Sequence, residues 1–323
     1  MSRTIAVADI GGTHARFALA EIAKGRVLSL GEPVTLKTAD HASFQIAWQE
    51  FGRVAGIDLP DALGIAFAGP VSGDMLKLTN NSWVIRPALM KEILGVTQYR
   101  IVNDFGAVAH AIGQFGPENL DHLCGSDGPL PVQGVTTIVG PGTGLGVAQL
   151  LKAPDSYNVI ETEGGHIDFA PLDALEDKIL AYLRRTFRRV SVERVACGTG
   201  LVNLYNAIAA IEGVPVSHPD DKAIWEAALE ATDPLAIAAL DRFFLSIGAV
   251  AGDLALAHGS NAVVIAGGLG YRLKDRFGTS GFSDRFIAKG RFERRMEGIP
   301  VKLVNHPQTG LYGAAAAFAK EFE

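Results

Sequence analysis

The stretch Ile5-Ala-Val-Ala-Asp-Ile-Gly-Gly-Thr-His-Ala-Arg-Phe-Ala-Leu19 constrains the fold more than any other part of the chain. An apolar run stops at two glycines and resumes with Phe17 and Leu19 in alternation. This pattern predicts a strand, a tight turn and a second strand. A Gly-Gly-Thr turn exposes backbone N–H groups with no Cβ in the way, which suits a phosphate tail. Asp9, ending the buried strand, adds a carboxylate able to hold a Mg²⁺ ion beside such phosphates. The plainer alternative is a hairpin with a Gly-Gly turn and a surface aspartate.

The arrangement returns in Val135-Thr-Thr-Ile-Val-Gly-Pro-Gly-Thr-Gly-Leu-Gly-Val-Ala-Gln-Leu150. Neither copy is a Walker A loop, since no Gly-Lys-Ser/Thr follows, and neither matches G-x-G-x-x-G leading into a helix. Two such hairpins suggest a duplicated fold with a nucleotide between its halves. A third glycine cluster, Val263-Val-Ile-Ala-Gly-Gly-Leu-Gly270, ends another buried strand. Without a cofactor it reads as a tight strand-to-helix turn.

A chain of 323 residues predicts two domains, each with a substantial core. The net charge of −6 and the absence of a continuous basic run argue against nucleic-acid binding. Arg184-Arg185 and Arg188-Arg189 are spaced like a solvated helix face. Two cysteines, Cys124 and Cys197, are too few for a disulfide framework and fit a reducing cytosol. Residues 1–20 lack the marks of a signal peptide. Leu235 to Ala257 is apolar but carries Asp241, Arg242 and Asp253, so it reads as a core helix and no membrane partner is expected.

Further strands are expected at Val27–Leu36, from Ala62 up to the Gly69-Pro70 stop, and at Tyr99–Asp104, Ala262–Ala266 and Val301–Val304. Helices are expected at His41–Ala55, from Arg86-Pro87, and at Phe105–Ile112. Others follow at 173–187, 199–212, 220–230, 233–258 and Gly310–Phe322. Pro215 and Pro219 break the run between two of them. Gln114 to Gly134 is rich in Gly, Pro and Asp, and its start reads as the boundary between domains.

Asp104 ends a parallel-type strand and starts a helix, the place where ligands gather in open α/β sheets. It reads equally as a helix N-cap, and Asn103 as a turn amide satisfying local backbone. Glu163 and His166, around two glycines, can aim at one small ligand bearing hydroxyls. A metal pair is disfavoured there, because the glycines resist helix and no third ligand is adjacent. Glu193 reads locally as a first-turn glutamate with Ser191 or a neighbour as cap. Asn80 reads as a turn asparagine.

Together, Asp9-Ile-Gly-Gly-Thr13, Asn103-Asp104, Gly140-Pro-Gly-Thr-Gly144, Glu163-Gly-Gly-His166 and Ala266-Gly-Gly-Leu-Gly270 resemble the bacterial ATP-dependent glucokinases. The resemblance runs from about residue 4 onward, with the motifs in family order. It implies an α/β chain with a two-domain actin-like ATPase (ribonuclease H-like) fold and an inter-domain cleft. The expected domains are 1–114 plus 307–323, a small α/β domain carrying the terminal helix, and 115–306, a large one.

By this resemblance Asp104 is the general base toward the sugar's 6-hydroxyl, and Asn103, Glu163, His166, Glu193 and Asn80 bind sugar hydroxyls. ATP phosphates meet Gly11, Gly12 and Thr13, flanked by Ile10 and His14, and also Gly142 and Thr143. Gly267 and Gly268 approach adenosine, and Asp9 acts through Mg²⁺. The family's Ser-Gly-Pro-Gly is here Cys197-Gly-Thr-Gly200, which leaves the local loop shape open. Glucose and ATP are the implied partners, with a cytoplasmic homodimer as a further family expectation. Rival readings are a kinase for fructose, mannose or an amino sugar, a sugar-sensing regulator, and a structural ATPase. The regulator would need an added DNA-binding segment, for which a first strand near residue 4 leaves no room.

Overall fold

The computed structural model describes residues 2–78, 81–218 and 220–323. They fold as two compact units: one runs to Gly116 and takes up His306–Glu323, and the other is Pro117–Asn305. Asn80 lies outside the described residues.

Unit 1 opens with β1 (Arg3–Ile10), β2 (His14–Ala23), β3 (Arg26–Leu30), β4 (Val34–Lys37), α1 (Phe44–Ala55) and β5 (Ala62–Phe67). A small hairpin, β6 (Leu76–Lys77) and β7 (Val84–Ile85), precedes α2 (Met90–Leu94), β8 (Gln98–Asn103) and α3 (Asp104–Gln114). The sheet order is β3-β2-β1-β5-β8, with β4 also on β2. β1 pairs antiparallel with β2 but parallel with β5, and β5 is parallel to β8.

The single strand expected over Val27–Leu36 is two strands. Gly31-Glu32-Pro33 interrupts it, and both pieces pair with β2. Proline cannot donate to a ladder, so the break falls there. The helix expected from His41 starts instead at Phe44, where the Ser43 hydroxyl caps it by accepting from the Ile46 N–H.

Both faces of this sheet are buried, which is why β1 and β5 read as nearly continuous apolar runs. On one face Phe17, Phe44, Trp48, Phe51 and Trp83 pack together. On the other, Ile5, Val7, Ala62 and Ala66 meet the C-terminal helix Thr309–Phe322 through Leu311, Ala314 and Phe318. That helix approaches closely because its facing side is alanine and glycine. A Cβ on Gly313 would collide with the Ala107 carbonyl oxygen, and one on Gly64 with that of Ala314.

Unit 2 contains β9 (Leu120–Cys124), β10 (Gly134–Pro141), β11 (Leu145–Ala153) and β12 (Ser156–Thr162). Helices α4 (Ala174–Leu183), α5 (Gly198–Glu212), α6 (Asp221–Glu230) and α7 (Pro234–Ala257) follow. Then come β13 (Ala262–Ile265), four short helices α8 (Gly267–Arg272), α9 (Lys274–Phe277), α10 (Phe282–Ile287) and α11 (Glu293–Glu297), and β14 (Val301–Val304). Its sheet runs β12-β11-β10-β13-β14-β9. The first five repeat the unit 1 pattern: an antiparallel meander followed by two parallel strands.

Within the Gly-, Pro- and Asp-rich stretch 114–134, β9 is a strand, antiparallel on β14. The 24-residue α7 is long and apolar enough to cross a membrane by composition alone, with a mean hydropathy of 1.6. Here it is the core helix of unit 2, flanked by α5, α6 and α10. Gly248 and Gly252 bring it against the carbonyls of Phe282 and Phe286.

His110 lies buried on α3, and burial together with the charges of Arg100 and Lys320 pulls its pKa down from 6.5 to about 4. A histidine whose folded pKa is depressed stabilises the fold fully above pH 6.5 and loses that contribution as the pH falls toward 4. The full shift corresponds to about 3 kcal/mol. Acid titration followed by thermal melting is therefore expected to show a stability loss across this window. His110→Leu is expected to flatten that slope.

Candidate active site

In unit 1 the register pairs Ile10 with Phe67 and Phe67 with Asn103, so β1, β5 and β8 end together. Asp9, the Gly11-Gly12-Thr13 turn and Asn103-Asp104 therefore emerge at one edge of one sheet. This is the carboxyl edge of its parallel strands, where α/β sheets bind ligands.

The turn is held from behind. Gly12's carbonyl accepts from the Thr38 hydroxyl at 2.7 Å and from Asn81 Nδ2 at 3.3 Å. Thr38 N–H in turn donates to the Thr13 carbonyl at 3.0 Å. A trans peptide is planar, so fixing the Gly12 carbonyl directs the Thr13 N–H the opposite way. Sequence reasoning identified the turn but missed Thr38 and Asn81, whose signal is spread over residues distant in the chain.

Asp9 is half-buried, with Arg16 Nη1 3.4 Å from its Oδ2. Burial pushes its carboxyl above the ordinary range, and the Arg16 charge opposes that push. Gly310, in the first turn of the terminal helix, lies against the same carboxylate, and a Cβ there would come within 2.8 Å of Oδ2. Among the described residues no three His, Cys, Asp or Glu side chains gather to cage a metal alone. Mg²⁺ at a phosphate needs only one or two carboxylates with phosphate and water oxygens, so the lone Asp9 fits it.

At the second strand end, the cap of α3 is Asn103 and not Asp104. Asn103 Oδ1 accepts from Phe105 N–H at 2.9 Å and Gly106 N–H at 3.3 Å, while Nδ2 donates to the Gly69 carbonyl. The amide thus does the local backbone work considered for it. Asp104 is the first helical residue, its Oδ1 taking the Phe105 N–H at 2.9 Å. A carboxylate there is favoured by the helix N-terminus.

In unit 2 the Gly142-Thr143-Gly144 turn follows the same rule. Gly142's carbonyl accepts from Gly198 N–H at 2.8 Å, which directs the Thr143 N–H away. Glu193 is not served by its own helix end: Ser191 makes no side-chain cap, and Glu193 Oε2 instead accepts from Leu145 N–H at 2.9 Å. A Cβ on Gly144 would sit 2.6 Å from that oxygen, so the carboxylate occupies the space a side chain would take.

Glu163 and His166 flank a short 3₁₀ turn, with both side chains largely exposed and 3.9 Å between Oε2 and Nε2. Their intervening glycines lie against β11, since a Cβ on Gly165 would strike the Leu145 carbonyl. The register of β10, β13 and β14 brings the Gly142 and Gly267 turns to one edge of the unit 2 sheet.

The glycines after β13 differ in kind. Gly267 has φ +84°, and a Cβ there would lie 2.9 Å from the Pro141 carbonyl oxygen, whereas around Gly268 there is open space. Gly267→Ala is expected to cost about 1–3 kcal/mol through backbone strain, and Gly268→Ala to leave the melting temperature almost unchanged. Denaturant melts of the two variants check this contrast.

A family model described as glucokinase matches residues 6–321. A glucokinase of Zymomonas mobilis subsp. mobilis is 61% identical over 318 residues, covering 98% of each chain. The crystal structure of a glucokinase from an Antarctic psychrotroph is similar at a TM-score of 0.85 and 34% identity, covering 98% of both chains. The ROK family glucokinase from Streptomyces griseus, solved with glucose and AMPPNP, shares the fold at a TM-score of 0.60 and 22% identity, over 97% of this chain and 98% of that one. The architecture is the two-domain actin-like ATPase fold expected from the motifs. On the family match and the identity to its relatives, the chain belongs to the glucokinase family.

Proposed function

We propose that this chain transfers the γ-phosphoryl group of Mg·ATP to the 6-hydroxyl of glucose, with Asp104 as general base. The observation that carries the assignment is the shared strand edge in unit 1, which presents the phosphate-type turn, Asp9 and Asp104 together. Asp104 accepts the 6-hydroxyl proton as that oxygen attacks the γ-phosphorus and ADP leaves. Asn103 fixes the start of α3, and so holds Asp104 in place, and Asn103 itself is a sugar contact. Glu163 and His166 hydrogen-bond ring hydroxyls, with Glu193 and Asn80 as further sugar contacts.

Phosphoryl transfer needs positioning and charge neutralisation more than covalent chemistry from the protein. The outward Thr13 and Thr143 N–H groups supply two fixed donors for phosphate oxygens. Ile10, Gly11, Gly12 and His14 complete one phosphate turn, and Gly142 belongs to the other. Gly267 and Gly268 face adenosine. Mg²⁺, held through Asp9, would neutralise charge on the phosphates. The two free thiols, Cys124 and Cys197, suit a reducing cytosol.

ADP release and glucose 6-phosphate formation, assayed together with and without glucose, test the reading. Equal, glucose-dependent yields support it, and sugar-independent ADP release refutes it. A panel of fructose, mannose and glucosamine then sets the sugar range. Asp104→Asn is expected to lower kcat by about 10²–10⁴ with little change in glucose affinity; near-normal turnover would remove Asp104 from the mechanism. Gly268→Ala, harmless to the fold, is expected to raise the KM for ATP roughly tenfold by crowding the nucleotide.

A further inference from the structure

We propose that Arg184, Arg188 and Arg189 form a binding site for a small dianionic phosphate ester, separate from the residues assigned to catalysis. The sequence spacing suggested a solvated helix face for these arginines. The structure keeps them exposed, as expected, but places them beyond the end of the helix. α4 ends at Leu183, and the chain turns so that Arg184, Arg188 and Arg189 line one polar cleft of about 280 Å³ with Asp168, Phe169, Leu180 and Val190.

The arginines of this segment divide by what they touch. Arg185 stacks on Tyr182 at 5.5 Å and Arg194 on Phe187 at 4.3 Å, so both are used in packing. Arg189 donates to Asp168 at 2.5 Å. Among the described residues, the guanidinium groups of Arg184 and Arg188 have neither an ion-pair nor a hydrogen-bond partner. Two unpaired guanidiniums and one shared with a single carboxylate leave the cleft with two uncompensated positive charges, in a chain whose net charge is −6.

That charge matches a phosphate monoester dianion. Guanidinium groups also offer the paired donors that phosphate oxygens accept best. Phe169 and Leu180 give the cleft an apolar side against which the carbon skeleton of an ester can lie. Arg184, as the C-cap of α4, also complements the helix dipole. That role needs one charge and leaves Arg188 unexplained.

Two lining residues, Phe169 and Val190, belong to a short backbone ladder, with Phe169 N–H on the Val190 carbonyl at 3.0 Å and Val192 N–H on the Ile167 carbonyl at 2.9 Å. One strand of that ladder follows His166 directly, and the other leads into Glu193. The lining residues Asp168 and Val190 thus lie two and three positions along the chain from His166 and Glu193, two side chains assigned above to the sugar. The binding itself does not rest on that assignment.

Calorimetric titration of the full chain, saturated with glucose and held at constant ionic strength, tests the site with glucose 6-phosphate, inorganic phosphate and sulfate as probes. The ester is expected to bind and sulfate to bind far more weakly. Arg184→Gln/Arg188→Gln is expected to weaken the ester by about a hundredfold, roughly tenfold for each charge-assisted contact. Arg184→Lys/Arg188→Lys, keeping charge but losing the fork, is expected to fall between. Both variants leave the proposed sugar and nucleotide residues in place, and their melting temperatures verify folding. Equal ester binding by the wild type and the glutamine variant, or no ester binding at all, overturns the proposal. Sulfate binding as tight as the ester, or inorganic phosphate binding without the ester, also overturns it.

Discussion

The carbonyl of Gly12 is pinned by Thr38 and Asn81, and this one fixed peptide plane governs what the first turn can present. A free Gly-Gly-Thr turn would sample many orientations and lose entropy on meeting an anion. The hydrogen bonds behind it remove that freedom before any ligand arrives. Unit 2 reaches the same result by another route, with the Gly198 N–H doing the work of a side chain. Each unit thereby turns a threonine N–H outward. The repeated sheet order of the two units supplies the common frame.

The chemistry at the strand ends depends on how carboxylates are housed. Asp9 is desolvated, faces Arg16, and abuts the first turn of the terminal helix. Asp104 sits at the start of α3, oriented by the N–H of Phe105. Glu193 lies beside the second turn and satisfies the Leu145 N–H, so its removal would leave a partly buried donor unpaired. Three acidic residues thus carry three different local supports.

Much of this was legible in the sequence where local chemistry and fold agree. The two glycine hairpins and the long helices of unit 2 follow from apolar runs, turn residues and periodicity. What escaped was held by partners far along the chain. β9 went unread because its surroundings are rich in Gly, Pro and Asp, yet β14, far along the chain, supplies its ladder. The four short helices between Gly267 and Glu297 are each a turn or two long, too brief for a period to show. The role of Glu193 could not be read locally, because its partner lies on β11. The cap at α3 went to Asn103 over Asp104, and both residue types favour that position, so only geometry decides.

The terminal helix also says something about how the molecule is made. One face of the unit 1 sheet, with Ile5, Val7, Ala62 and Ala66, is covered by Leu311, Ala314 and Phe318. On the ribosome those covering residues emerge only after all of unit 2 has been synthesised. Unit 2 is continuous in the chain and free to fold as it appears, whereas the first strands must wait with an apolar face open to solvent. The oldest part of the nascent chain is therefore the last to be finished. Chaperone demand should concentrate in that interval.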